Sequence, residues 1–152
     1  MITVGLADDQ QLVRAGFAMV LDSQDDIAVA WEAADGAEAC ELAVAQPVDM
    51  ILMDVQMPVM NGYEATKAIR RSSHKLAKTI PIIAMTANAF SEDIQHSLTA
   101  DMNAHVSKPV EMKVLEKTIR SIKSGGGGVP NRRSLYSDEW KVTGHRRIKK
   151  DS

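Results

Sequence analysis

The stretch Met50-Ile51-Leu52-Met53-Asp54-Val55-Gln56-Met57-Pro58-Val59-Met60-Asn61-Gly62 decides the fold. Its first half is an apolar run of strand length that ends on an aspartate, and a Pro/Asn/Gly turn comes at once after it. In an open parallel sheet, reactive groups collect at the carboxyl ends of the strands, which is where Asp54 falls. An aspartate that merely begins a turn is the commoner case. A second strand-like run, Ile2 to Ala7, also ends on acids, Asp8-Asp9. If these two strands are central neighbours, three carboxylates meet. Carboxylates so crowded repel unless a cation joins them, and hard oxygen ligands suit Mg²⁺.

Outward from this stretch the chain alternates. Residues 10–22 carry Leu12/Val13, Gly16/Phe17 and Val20/Leu21 at helical spacing, and Ile27 to Trp31 reads as a strand. Asp35 and Glu38 stand three apart, which predicts a capping box opening a helix over 36–45, and Pro47 ends it. Val48 to Asp54 is the third strand. A short helix over 63–71 comes next, with Ala65, Ala68 and Ile69 inward, then a polar loop through Ser72 to Lys75. Ile80 to Met85 forms the fourth strand, with Pro81 tolerated near its start. Ser91 caps a fourth helix with Glu92 and Asp93 in its first turn. Ala104 to Ser107 is the fifth strand, and residues 111–123 are a helix with Met112, Leu115, Ile119 and Ile122 on one face. Strand and helix alternate five times, which predicts an α/β, doubly wound, five-stranded parallel sheet with helices on both faces.

The predicted organisation is one domain over 1–123, a Gly-rich flexible linker over 124–128, and a basic, disordered or partner-dependent tail over 129–152. Residues 1–123 hold 11 Lys/Arg against 17 Asp/Glu, while residues 124–152 hold 7 against 3. The chain's net charge of −2 therefore hides an acidic body and a basic tail. One cysteine, Cys40, excludes an internal disulfide, fits a reducing compartment and is expected to be buried and inert. Neither a leader pattern nor an apolar run of spanning length is present, so a soluble cytoplasmic protein is expected. The tail is too short for a helix-turn-helix, which argues against sequence-specific DNA binding.

Two more strand ends carry chemistry: Thr86 after the fourth strand and Lys108-Pro109 after the fifth. Taken singly, Asp8-Asp9 is a helix cap, Thr86 a strand-end cap and Lys108 a solvated lysine. Jointly, acid, hydroxyl and ammonium suit phosphoryl transfer to a carboxylate, in which positioning and charge neutralisation carry the catalysis.

On these residues (Asp8-Asp9, Met53 to Gly62 around Asp54, Thr86-Ala87 and Lys108-Pro109) the chain resembles the receiver domains of two-component response regulators, the CheY-like fold. The opening through Gly36 is similar to LuxR/NarL-type receivers, and Asp54 to Pro109 is similar to receivers of hybrid histidine kinases. The resemblance implies that Asp54 is the phosphoacceptor, with Mg²⁺ held by Asp9, Asp54 and the Gln56 backbone carbonyl and, through water, by Asp8. It implies that Lys108 pairs with the phosphoryl group, that Thr86 is the switch hydroxyl, and that Lys108-Pro109 is cis. The family's aromatic switch position falls on His105, a departure that puts an in-and-out aromatic rotamer in question; the plainer reading is a strand residue facing solvent.

The function implied is a regulatory phosphoacceptor with at most slow self-dephosphorylation, taking its phosphoryl group from a histidine kinase or phosphotransfer protein. Its output surface, and the surface of a homodimer, would be the face of the fourth helix, fifth strand and fifth helix. The alternative is an interaction scaffold of the same fold that works without phosphorylation. A phosphatase with an aspartyl nucleophile is disfavoured, because the second acid such enzymes need falls on Gln56.

Overall fold

A computed structural model describes residues 1–73, 77–86 and 100–124 of the chain. Five strands form one parallel sheet: β1 (Ile2–Ala7), β2 (Ile27–Ala33), β3 (Met50–Asp54), β4 (Ile82–Thr86) and β5 (Ala104–Ser107), in the order β2-β1-β3-β4-β5. The helices are α1 (Gln11–Asp22), α2 (Gly36–Ala45), α3 (Gly62–Arg71) and α4 (Met112–Ser124). The helix expected at Ser91, the loop at 74–76, the linker beyond Ser124 and the tail lie outside the described residues. Thus α4 is the expected fifth helix.

The sheet is covered on both faces. Val4, Leu6, Leu52, Ile83, Met85, Ala104 and Val106 pack with Ala18 and Leu21 of α1 and with Leu115, Ile119 and Ile122 of α4. Ala7, Ile51, Met53, Ile82 and Ala84 pack on the other side with Ala39 and Ala43 of α2 and Ala65 and Ile69 of α3. All five residues of β3 are buried, as a central strand with two covered faces requires. The doubly wound expectation therefore holds.

The ends of elements move by small amounts. β2 runs on to Ala33, two residues past Trp31, while β3 starts at Met50 and β4 at Ile82. The indole of Trp31 crosses Gly5, where a Cβ would lie 2.2 Å from the ring, and its Nε1–H donates to the Gln46 carbonyl at 3.0 Å. Asp35 caps α2 by accepting from the Glu38 amide at 2.8 Å, but the Glu38 carboxylate accepts from Ala34 rather than from Asp35. The reciprocal capping box is instead at α3, between Asn61 and Glu64.

Arg70 of α3 is buried as well, beside the expected Ala65 and Ile69. Its guanidinium is buried, donating to the carbonyls of Ala77, Ile80 and Asp101 and to Asn103 Oδ1. Asn103 Oδ1 in turn accepts from the Ile82 amide at 2.9 Å. A single side chain on α3 thereby fixes the segments that lead into β4 and β5.

Candidate functional site

The strand order reverses between β1 and β3, so a crevice opens at the carboxyl ends of these two neighbours. β1 delivers Asp8 and Asp9 there, and β3 delivers Asp54. Carboxylate oxygens of Asp8, Asp9 and Asp54 lie within 4.8 Å of one another, with Asp8 and Asp54 buried and Asp9 exposed. The convergence expected from the sequence is met.

Backbone geometry aims each acid. Asp8 Oδ1 accepts from the Gln10 amide at 2.9 Å, and the Asp8 amide donates to the Ala33 carbonyl at 3.0 Å. Arg14 closes the turn from α1: its Nη1 donates to the Asp8 carbonyl at 2.7 Å while its Nε pairs with Glu32 at 3.1 Å. Asp54 Oδ1 accepts from the amide of Gln56, an exposed residue, at 3.2 Å. The loop after β3 closes tightly, with the Gly62 amide donating to the Val55 carbonyl at 3.1 Å. A Cβ on Gly62 would lie 2.4 Å from the Asp54 carbonyl oxygen, so only glycine permits this approach.

Lys108 enters from the end of β5. Its Nζ lies 3.1 Å from Asp54 Oδ2 and 3.4 Å from Asp8 Oδ2. The Lys108–Pro109 peptide is cis. The Lys108 amide donates to the Thr86 carbonyl at 2.7 Å, which ties the ends of β4 and β5 together. Thr86 is buried as the last residue of β4, one strand over from Asp54.

Burial pushes the Asp54 carboxyl above its ordinary range; Lys108 pulls it back, and Asp8 pushes it up again. Burial works against the Lys108 ammonium, yet the carboxylates of Asp54 and Asp8 outweigh it and hold its pKa above that of an ordinary lysine. Among the described residues, one cation thus faces three acids. A small divalent cation fits this set: the donors are hard oxygens from three carboxylates, and their mutual repulsion is only partly met by Lys108.

His105 is 1 % exposed, so the solvent-facing alternative is wrong. It pairs with Ala84, and strand alternation points it to the α2/α3 side of the sheet, opposite to Ala104 and Val106. Cys40 is half-buried, not fully buried, and burial together with Glu41 raises its thiol pKa, which keeps it in the unreactive form. Sequence reasoning passes over Arg14 and Gly62 as site residues. Gly62 is legible as the glycine of the Asn-Gly turn, whereas nothing in the local pattern marks Arg14.

The sheet order and the crevice define a CheY-like protein of the flavodoxin type. The chain belongs to the response regulator receiver domain family, whose sequence pattern matches residues 4–120. It is 49% identical over 78 residues to Histidine kinase 1 of Arabidopsis thaliana, an alignment covering 51% of this chain and 6% of that protein. Among solved structures, Vibrio cholerae CheY4 is 32% identical with a TM-score of 0.73, covering 80% of this chain and 98% of that one. The receiver domain of sensor histidine kinase PA1611 from Pseudomonas aeruginosa, solved with a magnesium ion coordinated in its active-site cleft, is 33% identical with a TM-score of 0.66 and covers 79% and 95%. The chain is therefore a receiver domain of the two-component type and spans only a small fraction of the plant kinase it matches. Among the described residues, no helix is long and apolar enough to cross a membrane.

Proposed function

We propose that this receiver accepts a phosphoryl group on Asp54 from a phosphohistidine of a histidine kinase or phosphotransfer protein. The observation that carries the reading is the Asp54 carboxylate at the end of a central strand, grouped with Asp8 and Asp9 and 3.1 Å from Lys108. An Asp54 carboxylate oxygen attacks phosphorus, the donor's P–N bond breaks, and the electron pair leaves with the imidazole nitrogen. The Lys108 ammonium pairs with a phosphoryl oxygen, and the Thr86 hydroxyl donates to another. Arg14 holds the Asp8–Asp9 turn by its carbonyl, which keeps both acids aimed at the crevice. Asp9, Asp54 and the Gln56 carbonyl, with Asp8 through water, would hold Mg²⁺, which would supply neutralisation of the phosphoryl charge.

The added charge draws Thr86 inward and biases the neighbouring loop and the His105 position, changing what the surface binds. The same reading ends the receiver with α4, at Ser124 rather than at the expected 123, and places the linker at 125–128 and the tail at 129–152, in a cytoplasmic signalling chain. It assigns partner binding or homodimerisation to the face that includes β5 and α4, and only slow self-dephosphorylation to the domain itself.

The test is intact mass after incubation with Mg²⁺ and a small acyl-phosphate donor, beside Asp54→Asn and a metal-free control. A single phosphoryl adduct that needs the metal and is lost in the variant is the expected result. No adduct on folded, Mg²⁺-binding protein overturns the reading in favour of a phosphorylation-independent scaffold.

A further inference from the structure

The turn that carries Asp8 and Asp9 leads into α1, and α1 starts weakly. Its N-cap, Gln10, makes no side-chain hydrogen bond to the helix, and no acid stands in the first turn. The buried residues of α1, Ala18 and Leu21, lie in its second half, while Leu12 is 88 % exposed and Gly16 interrupts the middle. A glycine in a helix interior costs about 1 kcal/mol relative to alanine. Neither a cap nor core packing therefore fixes the start of the helix.

The acids depend on that start. Asp8 Oδ1 is engaged by the Gln10 amide at 2.9 Å, and Asp8 Oδ2 faces Lys108 at 3.4 Å. Asp9 is exposed and, among the described residues, has no hydrogen-bond partner of its own. The backbone of the turn alone aims it.

Two side chains take the place of the missing cap. Arg14, one turn into α1, donates from Nη1 to the Asp8 carbonyl at 2.7 Å, and its Nε pairs with Glu32 of β2 at 3.1 Å. The Asp8 amide donates to the Ala33 carbonyl at 3.0 Å. Both backbone groups of Asp8 are thus tied to β2, the amide directly and the carbonyl through Arg14. A guanidinium presents its donors in a fixed planar fork, so the grip of Glu32 on one side sets the direction of the other.

Charge alone gives no reason for this arrangement. A guanidinium close to three carboxylates works against a divalent cation that they would gather. Engaged by Glu32 and a carbonyl, Arg14 leaves the oxygens of the acids open. Its value to the site is geometric.

We propose that Arg14 and Glu32 are positioning residues for the divalent-cation site. Glu32 holds the Arg14 guanidinium on the Asp8 carbonyl, which fixes the Asp8–Asp9 turn against fraying of α1 and keeps Asp9 aimed at the metal. The inference rests on the reading of Asp9 and Asp54 as metal ligands, and gives Glu32, on the edge strand of the sheet, a part in that site.

The test is calorimetric titration of the full chain with Mg²⁺. Arg14→Met, Glu32→Ala and the double variant are each expected to bind about 10-fold or more weakly than wild type, the loss that follows when a partner orienting a metal ligand is removed. The double variant is expected to be no weaker than the weaker single variant, because the two side chains act in series. Charge alone predicts tighter binding in Arg14→Met and wild-type affinity in the double variant, whose net charge is unchanged. Either of those results overturns the proposal. Glu32→Ala changes only an exposed side chain, and its loss of affinity is expected to persist at about 0.5 M salt, where exposed charges are screened. Recovery of affinity at that salt overturns the proposal even where Arg14→Met does not fold. Asp9→Asn separates the two levels. Binding that is weakened in Asp9→Asn but intact in the double variant overturns the proposal alone, whereas a wild type that takes no Mg²⁺, or an Asp9→Asn that binds as wild type does, overturns the reading beneath it as well.

Discussion

Asp49 and Asp54 bracket one strand, and their surroundings drive them in opposite directions. At the entrance of β3, Asp49 Oδ2 accepts from the Thr3 amide at 2.8 Å and the Thr3 hydroxyl at 3.1 Å, and Oδ1 pairs with Lys123 at 3.1 Å. Burial alone would raise its pKa, but these donors outweigh burial and lower it. At the exit, Asp54 is buried among acids with one shared lysine, and its pKa is raised. The first carboxylate fastens β3 to β1 and to α4. The second is held where burial and the neighbouring Asp8 oppose its ionised form.

The largest expected difference between the two ends is chemical. Lys108→Met removes the cation that pairs with Asp54 and is expected to slow phosphoryl uptake from a small donor about 100-fold, the order seen when one charge-stabilising group is removed from a site. Lys123→Met, which strips Asp49 of its cation, is expected to leave uptake unchanged. Timed intact-mass measurements check both.

A second difference is in metal response. Mg²⁺ at about 100 times its dissociation constant is expected to stabilise the wild type by ~2.7 kcal/mol in chemical denaturation. Asp9→Asn is expected to remove most of that gain. Asp49→Asn is expected to keep all of it. Loss of the gain in Asp49→Asn would mean that the two ends are not separate.

Without metal, the two aspartates are expected to differ in sign. Asp49→Asn is expected to destabilise the fold by about 1.5–3 kcal/mol, the range for hydrogen bonds to a charged group, whereas Asp54→Asn is expected to raise the denaturation midpoint near neutral pH.

The smallest effect is the pH slope. The folded-state pKa of Asp49 lies below the ordinary 3.8, so its contribution is present above that value and is lost as pH falls through the folded pKa. The folded-state pKa of Asp54 lies above 3.8, so the native state binds the extra proton and stability falls as pH rises through this window. Metal-free denaturation curves are expected to lose part of the acid limb in Asp49→Asn and part of the upper decline in Asp54→Asn.

The cluster of groups at the strand ends was legible in the sequence for a physical reason. Parallel strands carry reactive groups at one end, so Asp8, Asp9, Asp54, Thr86 and Lys108 are found by looking at the carboxyl end of each apolar run. Alternation of runs and helical periods carried the sheet in the same way. What escaped was long-range. Arg70 lies on α3 amid a pattern that reads as surface, and only the carbonyls of Ala77, Ile80 and Asp101 reveal why it is buried. The side of α1 that meets the core could not be chosen from a helix apolar on two sides. Asp35 and Asn61 both head a three-residue spacing to glutamate, yet only Asn61 closes the reciprocal box, because Glu38 reaches one residue further back, to Ala34.

The Arg70 guanidinium also bears on how such a domain tolerates change. Because it grips the segments entering β4 and β5 at the end of the sheet remote from Asp54, both strands are registered before they reach Thr86 and Lys108. Substitutions at the carboxyl ends of β4 and β5 therefore act on a fixed mount, with the strands beneath keeping their register.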